Sequence, residues 1–340
     1  MKFAITGGAG FLGANLVRTI LAAGDEVVVI DKRSPRWNAA NAPTTTADVS
    51  DPRAMIGAVE GCDVVIHAAF APPYAASEEQ ERVNSGGVST VLDAAAAAGV
   101  GRVIVVSSTI VERIIRTPAV RGNGPAGRLA TYARTRRDGE AAALARTDLS
   151  VGVARPRTLV GSGAVGAFAL QFRNIAEGRP VVLLGAATSP YQLLHIADFA
   201  NALIMFGHSA HVGVLSFGSR SSDPLRDELS ALAEHAGTGS QIVTTPAAIG
   251  RMIVRGAPRI GLRPLGEIYE AMLEGRAVQV DNMPAERAIG WRPQWSNLDA
   301  LIDAYDWFLR SSGEEPNHPI PRSHEIGIRV LSALPRGKRS

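Results

Sequence analysis

Short apolar runs rich in Val and Ile alternate with longer segments of helical length through the first half of the chain. The runs are continuously hydrophobic, which is typical of strands buried on both faces of a parallel sheet. They lie at Phe3–Thr6, Val27–Ile30, Val64–His67, Val103–Ser107 and Val151–Ala154, and the intervening helices are predicted at Gly13–Ala23, Gly86–Ala98 and Tyr132–Thr147. This alternation predicts an α/β fold built on a doubly wound parallel sheet.

The rhythm of the pattern changes after Arg155. We expect a helix over 165–177, a strand over 181–184, a helix over 196–206 and a strand over 212–218 that rejoins the sheet. Pro and Gly then separate the helices, which indicates a smaller domain interleaved with the first. The predicted boundaries are residues 1–160 and about 190–220 for the first domain, about 161–189 and 221–311 for the second, and 312–340 for a tail or arm.

Composition narrows the class of protein. The 340 residues are 46% hydrophobic and 20% charged, which excludes a disordered chain. The net charge of +3 rests almost entirely on arginine, since only Lys2, Lys32 and Lys338 are lysines, so it gives little reason to expect a nucleic-acid partner.

The number of cysteines and the lengths of the apolar runs bear on where the protein is located in the cell and on whether it binds a metal. The single cysteine, Cys62, excludes an internal disulfide and is interpreted as a small buried hydrophobe, and no Cys/His cluster predicts a metal site. No apolar run approaches the roughly 18 residues of a membrane span, and the first strand begins at Lys2. We therefore expect a cytoplasmic protein without a membrane partner.

A glycine-rich loop follows the first predicted strand and opens the first helix. Its sequence is Thr-Gly-Gly-Ala-Gly-Phe-Leu-Gly from Thr6 to Gly13. Gly7 suits the tight turn, Gly10 lets the backbone approach a pyrophosphate, and Gly13 lets the helix sit close to the sheet. With Phe11 and Leu12 at the helix N-terminus, this loop predicts that the first, Rossmann-type domain binds a dinucleotide.

Asp31 strengthens this prediction because it ends the second strand at the distance where a carboxylate accepts both ribose hydroxyls of an adenosine. A 2′-phosphate would meet like charge there, so NAD is favoured over NADP. Lys32 and Arg33 follow directly, and either could instead face a phosphate. The alternative reading of Asp31 is a residue that caps a turn.

These features together resemble the extended short-chain dehydrogenase/reductase family, in particular its NAD-dependent epimerase/dehydratase branch, over nearly all of residues 1–311. The resemblance marks the second domain as the substrate domain. Beyond the glycine loop it rests on a set of further motifs: Asp48-Val49 at the adenine, the small turn His67-Ala68-Ala69, Val83-Asn84 before Gly86-Gly87, Ser107-Ser108-Thr109, Tyr132, Pro156 and Gly290-Trp291-Arg292-Pro293.

The resemblance implies hydride transfer with a tyrosine acid/base. Tyr132 would exchange a proton with a substrate hydroxyl or carbonyl, and Ser108, or Thr109 in its place, would donate to the same oxygen. A free tyrosine has a pKa of about 10, so a nearby cation is needed to favour phenolate at neutral pH. A homodimer formed through the Ala-rich helices is a further expectation from the family.

The chain departs from the family pattern at the position four residues after Tyr132, where Arg136 replaces the usual lysine. Three readings remain open. Arg136 does the work of the lysine and orients the ribose, or the site performs slower or different chemistry, or the cofactor is bound without turnover and the protein is a regulator or interaction protein. Arginine is bulkier and planar, so the exchange is not conservative at a tight site.

Other departures bear on the substrate. Nucleotide-sugar members of the family carry an asparagine at the position of Thr158 and an arginine at the position of Tyr191, and the 4,6-dehydratase acids are absent at Thr109 and Ile110. The resemblance therefore favours a less polar small metabolite. Arginines between residues 113 and 137 are either a solvated face or a rim that attracts an anionic substrate. His195 and Asp198 are interpreted as residues that stabilise a helix start, and Trp291 and Trp295 as packing anchors.

Overall fold

The computed structural model describes residues 1–35, 42–114, 125–164, 168–256 and 279–311. The predicted tail at 312–340 and most of the Arg113–Arg128 stretch lie outside these residues.

Seven strands form one parallel sheet, in the spatial order β10-β6-β5-β4-β1-β2-β3, as the continuous apolar runs predicted. The strand that follows residue 212 does rejoin the sheet, beside β6. In chain order the strands are β1 (Lys2–Thr6), β2 (Glu26–Asp31), β3 (Thr44–Thr46), β4 (Val64–His67), β5 (Arg102–Val106), β6 (Ser150–Pro156), β7 (Thr158–Val160), β8 (Val181–Leu183), β9 (Leu193–His195), β10 (Gly213–Phe217) and β11 (Ile242–Thr244).

Helices cover the sheet and supply most of the remaining structure. They are α1 (Phe11–Ala22), α2 (Pro52–Val59), α3 (Ser77–Gln80), a π-helix (Glu81–Gly86), α4 (Gly87–Ala97), α5 (Ile110–Ile114), α6 (Pro125–Leu144), α7 (Ala169–Ala176), α8 (Ile196–His208), α9 (Leu225–Ala236), α10 (Ala247–Gly256), α11 (Met283–Ile289) and α12 (Asn297–Arg310).

The sheet is buried on both faces because successive side chains of a strand point to opposite sides. Phe3 and Ile5 of β1 join a core with residues of α1 and α8. Ala4, between them, belongs to a second core that α2 and α4 complete. Strands with this burial need apolar residues at every position, which explains why the pattern in the sequence is continuous.

The chain divides into two compact units. The first comprises residues 1–159, 193–220 and 280–295, and the second comprises the described parts of 160–192, 221–279 and 296–340. Residues 280–295, which the sequence grouped with the second domain, join the first unit. The side chain of Asn282 explains this grouping, since it accepts a hydrogen bond from Gly218 N–H and donates to the carbonyls of Gly218 and Ser219.

Candidate active site

The glycine loop packs against the end of β4. Gly7 has a φ of +70°, and a Cβ built on it would lie 2.7 Å from the Cα of Ala69. Ala68 N–H donates to the Thr6 carbonyl at 3.1 Å, which ties the two segments together. A Cβ on Gly13 would collide with the backbone of Gly8. Small residues are therefore required on both sides of this contact.

The N-terminus of α1 has neither a capping side chain nor an acidic residue in its first turn. Gly10 is the N-cap, and the first turn includes Phe11 and Leu12. Helix N-termini carry partial positive charge and N–H groups without intrahelical partners. The loop and the start of the helix are therefore suited to a pyrophosphate.

Asp31 lies at the end of β2, beside the loop. Its Oδ2 accepts a hydrogen bond from Ala9 N–H at 3.1 Å and its Oδ1 accepts one from Arg33 N–H at 3.0 Å, and the side chain is only 9% exposed. Lys32 turns to Glu79, with its Nζ 3.2 Å from the carboxylate. Arg33 keeps its Nε 4.0 Å from Asp31 Oδ1. Asp31 is thus the charged residue at this strand end whose side chain bonds to the glycine loop.

Asp48 is held in a fixed rotamer. Its Oδ1 accepts hydrogen bonds from Ser50 N–H and from Arg82 Nη1, both at 2.9 Å. Partial burial alone would raise the pKa of Asp48, but the bonds from Ser50 and Arg82 outweigh it and lower the pKa to about 2. The neighbouring Val49 is buried against Gly87 at the start of α4.

His67 is fully buried between β1 and β5, and its Nδ1 lies 2.7 Å from the Thr6 hydroxyl oxygen. That hydroxyl oxygen also accepts from Ala69 N–H at 3.4 Å, and it can donate to Nδ1 or accept from it according to the tautomer of the ring. Burial and then the charge of Arg136 lower the pKa of His67 to about 3. His67 is therefore neutral at physiological pH.

Tyr132 and Arg136 lie one turn apart on α6. Tyr132 is buried in a cluster with Ile110 and Val111 of α5, the helix that directly follows Ser108. The Arg136 guanidinium carbon is 5.9 Å from the centre of the Tyr132 ring, and Arg136 Nη2 donates to the Val106 carbonyl at the end of β5. The tyrosine, its cation and the hydroxyl segment thus meet at the carboxyl ends of β4 and β5.

The two candidate hydroxyls differ in their bonding. Thr109 is buried, donates to the Pro156 carbonyl at 3.3 Å and accepts from Arg157 Nη1 at 2.9 Å. Ser108 is half-buried, and its oxygen accepts from Ile110 N–H at 3.3 Å, so its proton is not used by that bond. Ser108, rather than Thr109, is the hydroxyl suited to act on a ligand.

Asn84 sits in the π-helix that precedes α4 and fixes a loop. Its Oδ1 accepts from Ala71 N–H at 2.8 Å and its Nδ2 donates to the Ala71 carbonyl at 3.0 Å. The π-helix lies close to α6, since a Cβ on Gly139 would come 2.5 Å from the Asn84 carbonyl oxygen. Asn84 therefore links the loop after β4 to the helix that carries Tyr132.

The residues present fit a dinucleotide on two further observations. His67 Nε2 and Arg136 Nε are both buried and have no hydrogen-bond partner within the described part of the chain. Arg136 Nε is an N–H donor, and His67 Nε2 is a donor or an acceptor according to the ring tautomer, so both are suited to polar groups of a ligand. The glycine cradle, which any Cβ at Gly7 would fill, supplies the matching phosphate end.

Some residues of this site were given no role by the sequence pattern. Phe70 lies 5.6 Å from the Arg136 guanidinium carbon. Arg157 reaches Thr109, and Arg155 forms ion pairs with Glu140 of α6 and Glu112 of α5. Both arginines flank Pro156 in a segment that carries the family resemblance, but the pattern gave neither of them a partner.

The family model for the NAD dependent epimerase/dehydratase family matches residues 3–214. The chain belongs to this family of enzymes. It is 29% identical to the uncharacterized protein y4nG of Sinorhizobium fredii over 98% of this chain and 86% of that protein. It is 33% identical to the ceramide reductase of Caulobacter vibrioides over 66% of this chain, a match that spans 65% of the reductase.

Solved structures share the fold of this family member. The dTDP-glucose 4,6-dehydratase DesIV of Streptomyces venezuelae, solved with NAD bound, superposes with a TM-score of 0.70 at 23% identity. The match covers 94% of this chain and all of that one.

The described residues hold no group of His, Cys, Asp and Glu placed for a metal ion, and none of their helices has the length and apolar content of a membrane span.

Of the clustered arginines, Arg134 pairs with Glu81 and Asp138. The side chains of Arg113, Arg116, Arg121 and Arg128 lie outside the described residues.

The residues interpreted as structural do occupy structural positions. His195 Nδ1 accepts from Ala197 N–H at the start of α8, and its ring stacks on Trp295 at 3.8 Å. Trp291 Nε1 donates to the Asp198 carbonyl at 3.0 Å.

Proposed function

We propose that this enzyme binds NAD in its first unit and transfers hydride at an alcohol or ketone carbon of a small metabolite, with Tyr132 as acid/base. The observation that carries the proposal is the meeting of three groups: buried Tyr132, the Arg136 guanidinium 5.9 Å from its ring, and α5, which begins two residues after Ser108 and packs on Tyr132 through Ile110 and Val111. A phenol, a cation and a hydroxyl donor are the groups that acid/base chemistry at an alcohol or ketone uses.

The chemistry assigned to this chain's own residues is a proton transfer. In oxidation, Tyr132 takes the hydroxyl proton as the C–H hydride leaves, and the alcohol becomes a ketone. In reduction, Tyr132 returns a proton to the ketone oxygen. Ser108 donates a hydrogen bond to that oxygen in both directions and so stabilises the charge that develops on it. NAD, when bound, supplies the acceptor or donor of the hydride.

The cofactor would be held by the residues that meet at this sheet edge. We place the pyrophosphate on the loop of Gly7, Gly10 and Gly13, the adenosine ribose at Asp31, the adenine at Asp48 and Val49, and the nicotinamide ribose at His67 and Arg136. Ala68, Ala69, Asn84 and Pro156 shape the walls. The buried carboxylate of Asp31 would repel a 2′-phosphate, which supports NAD over NADP.

A weakly polar substrate is supported by the second unit. Tyr191, at the position where nucleotide-sugar relatives carry an arginine, is buried, and its N–H donates to the Asp223 carbonyl. The Tyr191 carbonyl accepts a hydrogen bond from Asn297 Nδ2. Asn297 lies next to the buried carboxyl of Glu228. Burial, and then the charge of Asp223, raise the pKa of this carboxyl to about 7. Tyr191 thus brings no cation for a nucleotide diphosphate at this position. The similarity to a ceramide reductase points the same way.

Purified protein tested with NAD and a panel of secondary alcohols, and with NADH and the matching ketones, examines this proposal. We expect a change at the NADH absorbance band that Tyr132→Phe lowers about 10²- to 10⁴-fold in kcat. Turnover that Tyr132→Phe leaves unchanged would remove the mechanism. Mass spectrometry of product and tightly bound cofactor would distinguish net redox chemistry from an epimerisation in which hydride is returned.

A second candidate is a protein that binds NAD without turnover and acts as a regulator, which Arg136 motivates. This reading predicts cofactor binding with no substrate conversion across the panel. A homodimer formed through α4 and α6 and a cytoplasmic location also stay predictions.

A further inference from the structure

A half-exposed aromatic ring lies beside the proposed catalytic pair. Phe70 is 42% exposed, although it follows the turn His67-Ala68-Ala69 and lies 5.6 Å from the Arg136 guanidinium carbon. Arg136 is itself buried between this ring and that of Tyr132. The two ring centres lie 5.6 Å and 5.9 Å from the same guanidinium carbon, so one short hydrocarbon segment can contact both rings.

The loop that presents Phe70 is fixed rather than free. Asn84 holds both the N–H and the carbonyl of Ala71. The side-chain amide of buried Gln80 donates to the carbonyls of Pro72, Pro73 and Ala75 at 3.1 to 3.3 Å. These hydrogen bonds hold the loop so that the Phe70 ring stays partly exposed to water. This exposure costs free energy, because burying apolar surface is favourable.

Resting on the function proposed above, we infer that Phe70 is a specificity-determining residue that receives the hydrocarbon part of the substrate. One face of its ring contacts the guanidinium and the rest is available to a chain attached to the reacting carbon. The substrate class is therefore a secondary alcohol or ketone that carries an extended apolar chain.

The test measures kcat/KM for 2-butanol, 2-octanol and 2-dodecanol in the wild type, Phe70→Ser and Phe70→Leu. We expect kcat/KM to rise with chain length in the wild type. Phe70→Ser should lose at least tenfold more on 2-dodecanol than on 2-butanol, mainly through KM, whereas Phe70→Leu should keep the dependence on length because it keeps apolar surface. Leu144→Ala, which trims an exposed apolar residue at the far end of α6, is the matched control and should change nothing.

Four results would overturn the inference, and they are distinguishable. A wild type indifferent to chain length, or equal losses on all three alcohols in Phe70→Ser, would remove the hydrocarbon site and leave the proposed function standing. Loss of length dependence in Phe70→Leu together with weaker NAD binding by calorimetry would make Phe70 a support for Arg136 only. Failure of every alcohol and ketone would remove the proposed function itself.

Discussion

Arg136 places its guanidinium carbon 5.9 Å from the centre of the Tyr132 ring while its Nη2 donates to the carbonyl of Val106. Arg136 thus contacts the ring as a cation and donates a backbone hydrogen bond at the same time. Lysine has neither the planar group nor the forked donors needed for both. The geometry therefore favours an arginine that is adapted to this site.

Restoring the lysine of the family pattern is expected to impair the enzyme. Arg136→Lys should lower kcat/KM about tenfold to a hundredfold, because the cation loses its anchor on β5 and its stacking on the rings of Tyr132 and Phe70. The measurement is steady-state turnover beside calorimetry with NAD. Arg137→Lys, at an exposed position 3.5 Å from Asp138, is the control and should leave both unchanged. A large gain of rate in Arg136→Lys would instead indicate a decayed active site.

Ser108 and Thr109 are adjacent hydroxyls with opposite expected effects. Ser108→Ala should lower kcat about 10²- to 10³-fold with little change in the free energy of unfolding, since it removes a donor to the reacting oxygen. Thr109→Val should lower the free energy of unfolding by about 1–3 kcal/mol, because Arg157 and the Pro156 carbonyl lose a buried partner.

Denaturant unfolding and turnover, measured on both variants, separate the two roles. Thr109→Ser keeps the hydroxyl and should restore most of the lost stability. If Thr109→Val lost turnover while Ser108→Ala did not, the assignment of the two hydroxyls would be reversed.

His67 makes stability depend on pH. An unfolded histidine has a pKa of about 6.5, whereas burial and then Arg136 lower the folded value to about 3. The unfolded chain thus binds a proton first as the pH falls, so this contribution is complete above pH ~6.5 and is lost progressively as the pH falls toward about 3. At pH 5 the loss from this group is about 2 kcal/mol.

Unfolding free energy measured between pH 7 and 5 in wild type and His67→Gln checks this. The variant should show a flatter dependence on pH over that range. The same slope in both proteins would mean that His67 is not the neutral buried group described above.

Asp31 is expected to set the choice between NAD and NADP. Asp31→Asn removes the charge that disfavours a 2′-phosphate and weakens the acceptor for Ala9 N–H. The ratio of the two dissociation constants should shift by about tenfold or more toward NADP. Asp93→Asn, at an exposed site on α4, serves as the control. An unchanged ratio in Asp31→Asn would transfer the discrimination to Lys32 or Arg33.

Much of the fold was predictable because parallel strands buried on two faces leave continuous apolar runs in the sequence, such as Val64–His67. The glycine loop was predictable because close backbone contacts require the spacing of Gly7, Gly10 and Gly13. The short strand β3 at Thr44–Thr46 was missed because edge position, not hydrophobicity, makes it a strand. The π-helix at Glu81–Gly86 was missed because its extra residue leaves no periodic pattern of its own.

The site was predictable only where a motif fixed the spacing. Tyr132, Arg136 and Ser108 were proposed this way. Phe70 and Arg157 were not, because their importance comes from contacts across strands, with Arg136 and Thr109, that no local pattern encodes. The pairing of Lys32 with Glu79, 47 residues away, is likewise a tertiary contact.

Calorimetric titration of the purified full chain with NAD and with NADP tests the central claim most directly, since every step proposed above begins with a dinucleotide on the glycine loop. The account predicts one NAD bound per chain, about tenfold or more tighter than NADP, with binding abolished when Gly10→Glu places a side chain and a charge where the phosphates belong. No heat with either the oxidised or the reduced dinucleotide, or equal binding by Gly10→Glu, would contradict it.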